Sequence, residues 1–156
     1  GRALRPKARK QPFAEVPKSD VVELSRWVKE AGQMRFALVS DTIYGYRRSR
    51  YDDVRLFSER LTVIYSGVAM GQIFKGRLKP DWALSQYVSL NREAVSVAEV
   101  SYDEALDYLR RRDVLPSQCS EGLNLLLHNG CPLGFVKRIG ARCNNLYPLS
   151  LKINNL

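Results

Sequence analysis

The amino-acid sequence predicts an α+β chain: a helix and a small antiparallel sheet over residues 19–95, then a compact β-rich part over 96–156 opened by a second helix. Three observations carry this. First, Leu123 to Leu127 is an apolar run short enough for a buried strand and too short for a stable helix of its own. Second, His128-Asn129-Gly130 supplies a hairpin turn, because Asn and Gly both tolerate the positive φ of a primed turn; Leu133 to Val136 then closes a hairpin with a cationic exit, Lys137-Arg138. Third, apolar residues recur at helical spacing behind the capping residues Asp20 and Ser101.

Residues 1–18 are basic, proline-bearing and aperiodic, and read as an arm or spacer whose Arg2, Arg5, Lys7, Arg9 and Lys10 can attract phosphate. Asp20 and Glu23 form a capping box for a helix with Val21, Leu24, Trp27, Val28 and Ala31 on its apolar face and Gly32 at its end. Met34 to Val39 and Asp41 to Tyr46 read as strands. The loop 47–55 combines arginines and tyrosines, the materials for phosphate contact and base stacking, although Asp52 and Asp53 offset part of its charge.

Leu61 to Tyr65 and Met70 to Phe74 read as a further hairpin around Gly67, leaving through the basic turn Lys75-Gly76-Arg77-Leu78-Lys79. In both hairpins a turn glycine, Gly67 or Gly130, stands four residues before a strand glycine, Gly71 or Gly134; such strand glycines imply a bend or close backbone approach. Asp81 caps a short helix, residues 82–89, with Trp82, Leu84 or Tyr87, and Val88 on its apolar face. Arg92 to Val100 alternates loosely, as a connection that can carry an edge strand. Ser101 with Glu104 makes a second capping box, and Arg110, Arg111 and Arg112 fill that helix's last turn, where the helix dipole alone is a sufficient reason for them.

The composition, 45% hydrophobic and 26% charged, is that of a folded protein, and 156 residues can bury a real core. There is no 18-residue apolar stretch and no signal-peptide pattern, and a chain starting at Gly1 is expected to continue upstream. Cys119, Cys131 and Cys143, an odd number without a close pair and with one histidine in the chain, point to ordinary thiols in a reducing, cytoplasmic setting, with neither metal nor disulfide. Residues 1–80 hold 17 Lys and Arg against 8 Asp and Glu, whereas 81–156 hold 8 of each, so the whole excess of +9 lies in the first half. An anionic partner, most plausibly nucleic acid, follows from that asymmetry; a solubilising surface is the plainer reading.

Chemistry for catalysis is missing. His128 sits at a turn with no acid or nucleophile placed beside it by sequence, and neither a dinucleotide fingerprint nor a phosphate-binding P-loop is present. The chain reads as a binding module, with no catalytic residues of its own.

Gly130-Cys131-Pro132-Leu133-Gly134-Phe135 and Lys137, followed by Asn145, Tyr147, Pro148, Leu151 and Lys152, resemble the C-terminal PUA-like domain of bacterial 16S ribosomal RNA cytosine-C5 methyltransferases of the RsmF/YebU type, in the wider Nol1/Nop2/Sun family. Leu61 to Gly67, Gly71 to Pro80, Ala83-Leu84 and Ala105 to Arg110 resemble the segment preceding that domain, so the likeness spans about Phe36 to Lys152. Departures include Asn144 and Leu149 for lysines, Arg111 for a glycine, and Leu123 and Phe135 for tryptophans. The resemblance implies a PUA-like RNA-binding domain over 96–156, an α/β pre-PUA domain over 19–95, and an accessory role in positioning small-subunit ribosomal RNA. The S-adenosylmethionine-dependent methyltransferase domain would lie upstream, so no cofactor is expected here, and the three cysteines do not match the family's catalytic motif.

The expected RNA contacts are Arg47, Arg48 and Arg50 in the basic loop, Lys75, Arg77 and Lys79 after the first hairpin, and Lys137, Arg138, Arg142, Asn145 and Lys152 in the second part. Asn145 can bond backbone in a tight loop as readily as it touches RNA. The alternative function is a protein-interaction or structural docking domain of the same ancestry.

Overall fold

The computed structural model describes residues 14–47 and 67–154. Strands β1 (Ala14–Glu15), β2 (Met34–Val39), β3 (Thr42–Arg47), β4 (Val68–Phe74) and β5 (Arg77–Pro80) form an antiparallel meander in chain order. Strands β6 (Ser96–Glu99), β7 (Gly122–His128), β8 (Cys131–Ile139) and β9 (Arg142–Asn145) form a second sheet, in which only β6 runs parallel to its neighbour. With helices α1 (Lys18–Arg26), α2 (Trp82–Ser85) and α3 (Tyr102–Leu109), this is the α+β class the sequence predicts.

β7 is the wall between two cores. Its Leu125 and Leu127, with Phe135 of β8, join Leu24 of α1, Trp27 and Val28 just beyond it, and Met34, Ile43, Val68, Met70 and Leu78 of the first sheet. Leu126 and Val136 face the other way, onto Ala105 and Tyr108 of α3, Cys119, Cys143 and Tyr147. An unbroken leucine run is what a strand buried on both faces requires. Gly134 is equally constrained: at φ +154 it lies where a Cβ would collide with the Tyr108 hydroxyl, which donates to the Phe135 carbonyl at 2.9 Å.

The β7–β8 turn has Asn129 at φ 49 and Gly130 at φ 75, the primed geometry expected of Asn-Gly. Lys75 and Gly76, joining β4 to β5, have the same two angles and close the β4–β5 hairpin. β4 is paired by β3 on one side and by β5 on the other; residues 61–66, the other arm of the expected hairpin, lie outside the described residues.

Two helix boundaries differ from the sequence reading. α1 begins a turn early, because Pro17, with its ring-fixed φ of −55°, offers its carbonyl to the N–H groups of Asp20 and Val21 at 3.0 Å each. Asp20 therefore caps nothing, and Glu23 turns inward to accept from Arg26 (3.0 Å), Trp27 Nε1 (3.2 Å) and the edge N–H of Leu78 (3.2 Å). Burial raises the Glu23 carboxyl, but these donors outweigh it and hold the group below the usual range. Nor does Gly32 end the helix: Asn91 Nδ2 donates to the Arg26 carbonyl at 3.0 Å and Asn91 N to that of Trp27 at 2.9 Å. α2 is capped by Asp81 as expected but stops at Ser85, leaving Val88 outside it and 89% exposed.

α3 carries the full Ser101–Glu104 capping box. It ends before the arginines, which form its C-terminal cap instead of its last turn. Arg112 N bonds the Asp107 carbonyl at 2.9 Å and Arg111 N that of Tyr108 at 3.0 Å, a Schellman motif with Arg111 at φ 55 where glycine is usual.

Candidate nucleic-acid interface

Lys75, Arg77 and Lys79 stand together on the β4–β5 hairpin. Ile73 and Leu78 pair across it and pack against the first core, so strand alternation puts Gln72, Phe74, Arg77 and Lys79 on the opposite, outer face. Arg77 lies directly across from Phe74 and Lys79 from Gln72, and all four are exposed. Lys75 holds its ammonium 5.4 Å from the Phe74 ring centre. Among the described residues, no carboxylate pairs with any of these three cations.

The other expected contacts divide by what already holds them. Arg47 donates to Ser89 Oγ at 3.1 Å and lies 3.8 Å from Glu30, an exposed pair worth little energy but enough to orient the side chain. Arg48 and Arg50 lie outside the described residues. Arg138 is drawn back against the protein, its guanidinium donating to the Cys119 carbonyl at 2.6 Å and the Gly140 carbonyl at 3.0 Å. Lys137 and Arg142 are exposed on the β8–β9 face that carries Ile139, away from Arg138. Lys152 is exposed beside the end of α3, where the next residue, Ile153, bonds the Leu109 carbonyl at 3.0 Å.

Asn145 is a structural clamp. Its Nδ2 donates to the carbonyls of Tyr108 (2.8 Å) and Arg112 (3.2 Å), and its Oδ1 accepts from Tyr147 N (2.9 Å). Both donors are spent on the end of α3, so of the two readings left open by sequence the structure adopts the backbone one.

Phe74 is the surface residue that sequence reasoning missed. It is 67% exposed, and the signal that would have found it is its position across a two-residue turn from Arg77. Exposed Leu146, Leu149 and Leu151 form a separate apolar stretch just beyond β9.

Among the described residues, His128 Nδ1 lies 2.9 Å from the Val100 carbonyl and its ring meets Tyr102 edge-on at 6.2 Å, with no acid or thiol bonded to it. Burial and the neighbouring Cys143 push the Cys119 thiol up to about 11, and burial raises Cys143 as well, so both are protonated and unreactive near neutrality. An open depression near the first residues of α1 is lined by Asp20, Ser40, Asp41 and Gln72 among apolar neighbours, with no histidine or thiol. Among the described residues no group of three or more His, Cys, Asp or Glu is placed to hold a metal, and no helix is long and apolar enough to cross a membrane.

A sequence search of curated proteins finds no match to the chain. Residues 95–153 do match a protein family, described as the methyltransferase RsmF PUA domain. The matched span starts one residue before β6 and takes in the whole second sheet, α3 and the Asn145 clamp. Residues 95–153, which carry the second sheet and its capping helix, are therefore similar to the PUA domain of RsmF-type methyltransferases.

Proposed function

We propose that this chain is an RNA-binding accessory module that positions small-subunit ribosomal RNA for a cytosine-C5 methyltransferase domain. The observation that carries the reading is the group Lys75, Arg77 and Lys79, three cations on one exposed hairpin with no carboxylate partner among the described residues. Unpaired cations held on a tight hairpin release counterions from a phosphate backbone without first breaking internal ion pairs. S-adenosylmethionine chemistry would belong to the attached catalytic domain, and the residues here would contribute grip and orientation only.

The test is binding of the chain to small-subunit ribosomal RNA across a salt series. Affinity should fall steeply as salt rises, and replacing Lys75, Arg77 and Lys79 together with glutamine should reduce the logarithmic salt slope by about 2, at roughly 0.7 per phosphate on a single strand. A folded chain that leaves the RNA unbound at low salt overturns the proposal. That outcome would favour docking on a protein surface, the second reading, for which the exposed Leu146, Leu149 and Leu151 supply an apolar contact.

A further inference from the structure

We infer that Phe74 is a stacking platform for one unpaired base of an RNA strand, the flanking phosphates being held by Lys75, Arg77 and Lys79. This rests on the RNA-binding reading above and names its site and the kind of strand it takes.

The geometry comes from one irregularity in β4. Between Ile43 and Tyr44 of β3 the register shifts, and Gly71 (φ +128) occupies the point where β4 slips against it. Val68 and Met70 face the core before the slip and Ile73 after it, so Phe74 is turned outward, where uninterrupted alternation would have buried it. A side chain at 71 cannot be accommodated, because a Cβ there would strike the Lys79 carbonyl, and the outward aim of Phe74 is therefore fixed by the backbone.

The ring's surroundings select the ligand. Its cross-strand neighbour is Arg77, Lys75 lies over it, and Lys79 is one strand pair further along the same face. Arg77 and Lys79 are separated by about 6.7 Å along the strand, two residues of rise. A flat apolar ring inside a collar of cations suits a nucleotide, which offers a π-face and an anion together. A duplex keeps its bases in the stack, so the ring needs an unpaired one. A strand-shaped protein partner is disfavoured, since the edge N–H of Leu78 on β5 is already bonded to Glu23 at 3.2 Å.

The experiment compares the whole chain with its Phe74→Ala and Phe74→Tyr variants, using a labelled single-stranded RNA dodecamer of mixed sequence and the corresponding duplex. Phe74→Ala should weaken single-strand binding roughly 5- to 100-fold, with the salt slope and duplex affinity unchanged. Phe74→Tyr should stay within about 3-fold of the parent, since it keeps the π-face. Because the ring is exposed, both variants should melt with the parent; if Phe74→Ala did not fold, Phe74→Trp would replace it, with quenching of the new indole on RNA addition as the expected result. Undiminished binding by folded Phe74→Ala, or an unquenched indole on bound RNA, overturns the inference and leaves the RNA-binding module standing. Failure of the parent chain to bind the strand at low salt removes both.

Discussion

Replacing Asn145 with alanine should cost stability and leave RNA affinity in place. The substitution deletes two hydrogen bonds donated to the carbonyls of Tyr108 and Arg112 and one accepted from Tyr147 N. At about 1 kcal/mol net apiece, reduced because the Arg112 carbonyl can find water, the loss comes to about 2 to 3 kcal/mol. For a protein of this size that lowers the melting temperature by roughly 5 to 10 °C. The assay is a thermal melt by circular dichroism alongside RNA titration below the transition. Asn145→Asp should cost at least as much, because its second carboxylate oxygen would face the Tyr108 and Arg112 carbonyls that the amide now donates to. An unchanged melting temperature with RNA affinity down tenfold or more would show that the amide faces ligand, and would refute the clamp.

Three further outcomes follow from the same geometry. Arg111→Gly should raise stability by about 1 kcal/mol, since Arg111 holds the left-handed cap conformation that glycine adopts without strain; a lower denaturant midpoint would contradict this. Gly134→Ala should destabilise by about 2 kcal/mol or more, because the added methyl collides with the buried Tyr108 hydroxyl and lies 2.9 Å from Trp82 Cδ1; a melt within a degree or so of the parent would mean the packing yields. A thiol reagent near pH 8 should label exposed Cys131 quickly and leave Cys119, pushed up to about 11, and Cys143 unmodified until denaturant is added; rapid reaction of a second thiol would show that the second core opens.

What could be read from the sequence was local. The Asn129-Gly130 turn, the Ser101–Glu104 box, the Asp81 cap and the buried run Leu123 to Leu127 each depend on residues within a few positions of one another, and each formed as expected. Where the outcome depended on distant groups, sequence was a poorer guide. Glu23 left its capping role for Leu78, 55 residues away, and α1 began at Pro17 because a proline carbonyl served where a side-chain cap was expected. β6 gave a weak strand signal because its partner, β7, lies beyond a helix and runs parallel to it. Among the candidate contacts, charge pointed to Lys75, Arg77 and Lys79, but only strand pairing shows that they share a face with an aromatic ring. Asn145 carries the same motif letter whether it bonds backbone or ligand, and burial of the α3 end decides between them.

Having apolar environments on both sides of β7 removes the usual safeguard on strand alignment. In a sheet with one wet face, sliding by a residue would drive leucines into water; here Leu125, Leu126 and Leu127 would merely trade one greasy compartment for the other. The lock must come from the ends of the strand. Asn124, fully buried, accepts from Ser120 N at 3.0 Å and donates to the Ser120 carbonyl at 2.8 Å and the Gly122 carbonyl at 3.0 Å. Those partners belong to the entry of β7 and would travel with it, so Asn124 anchors the start of the strand while the tight Asn129-Gly130 turn sets its alignment with β8, on which the whole leucine wall depends.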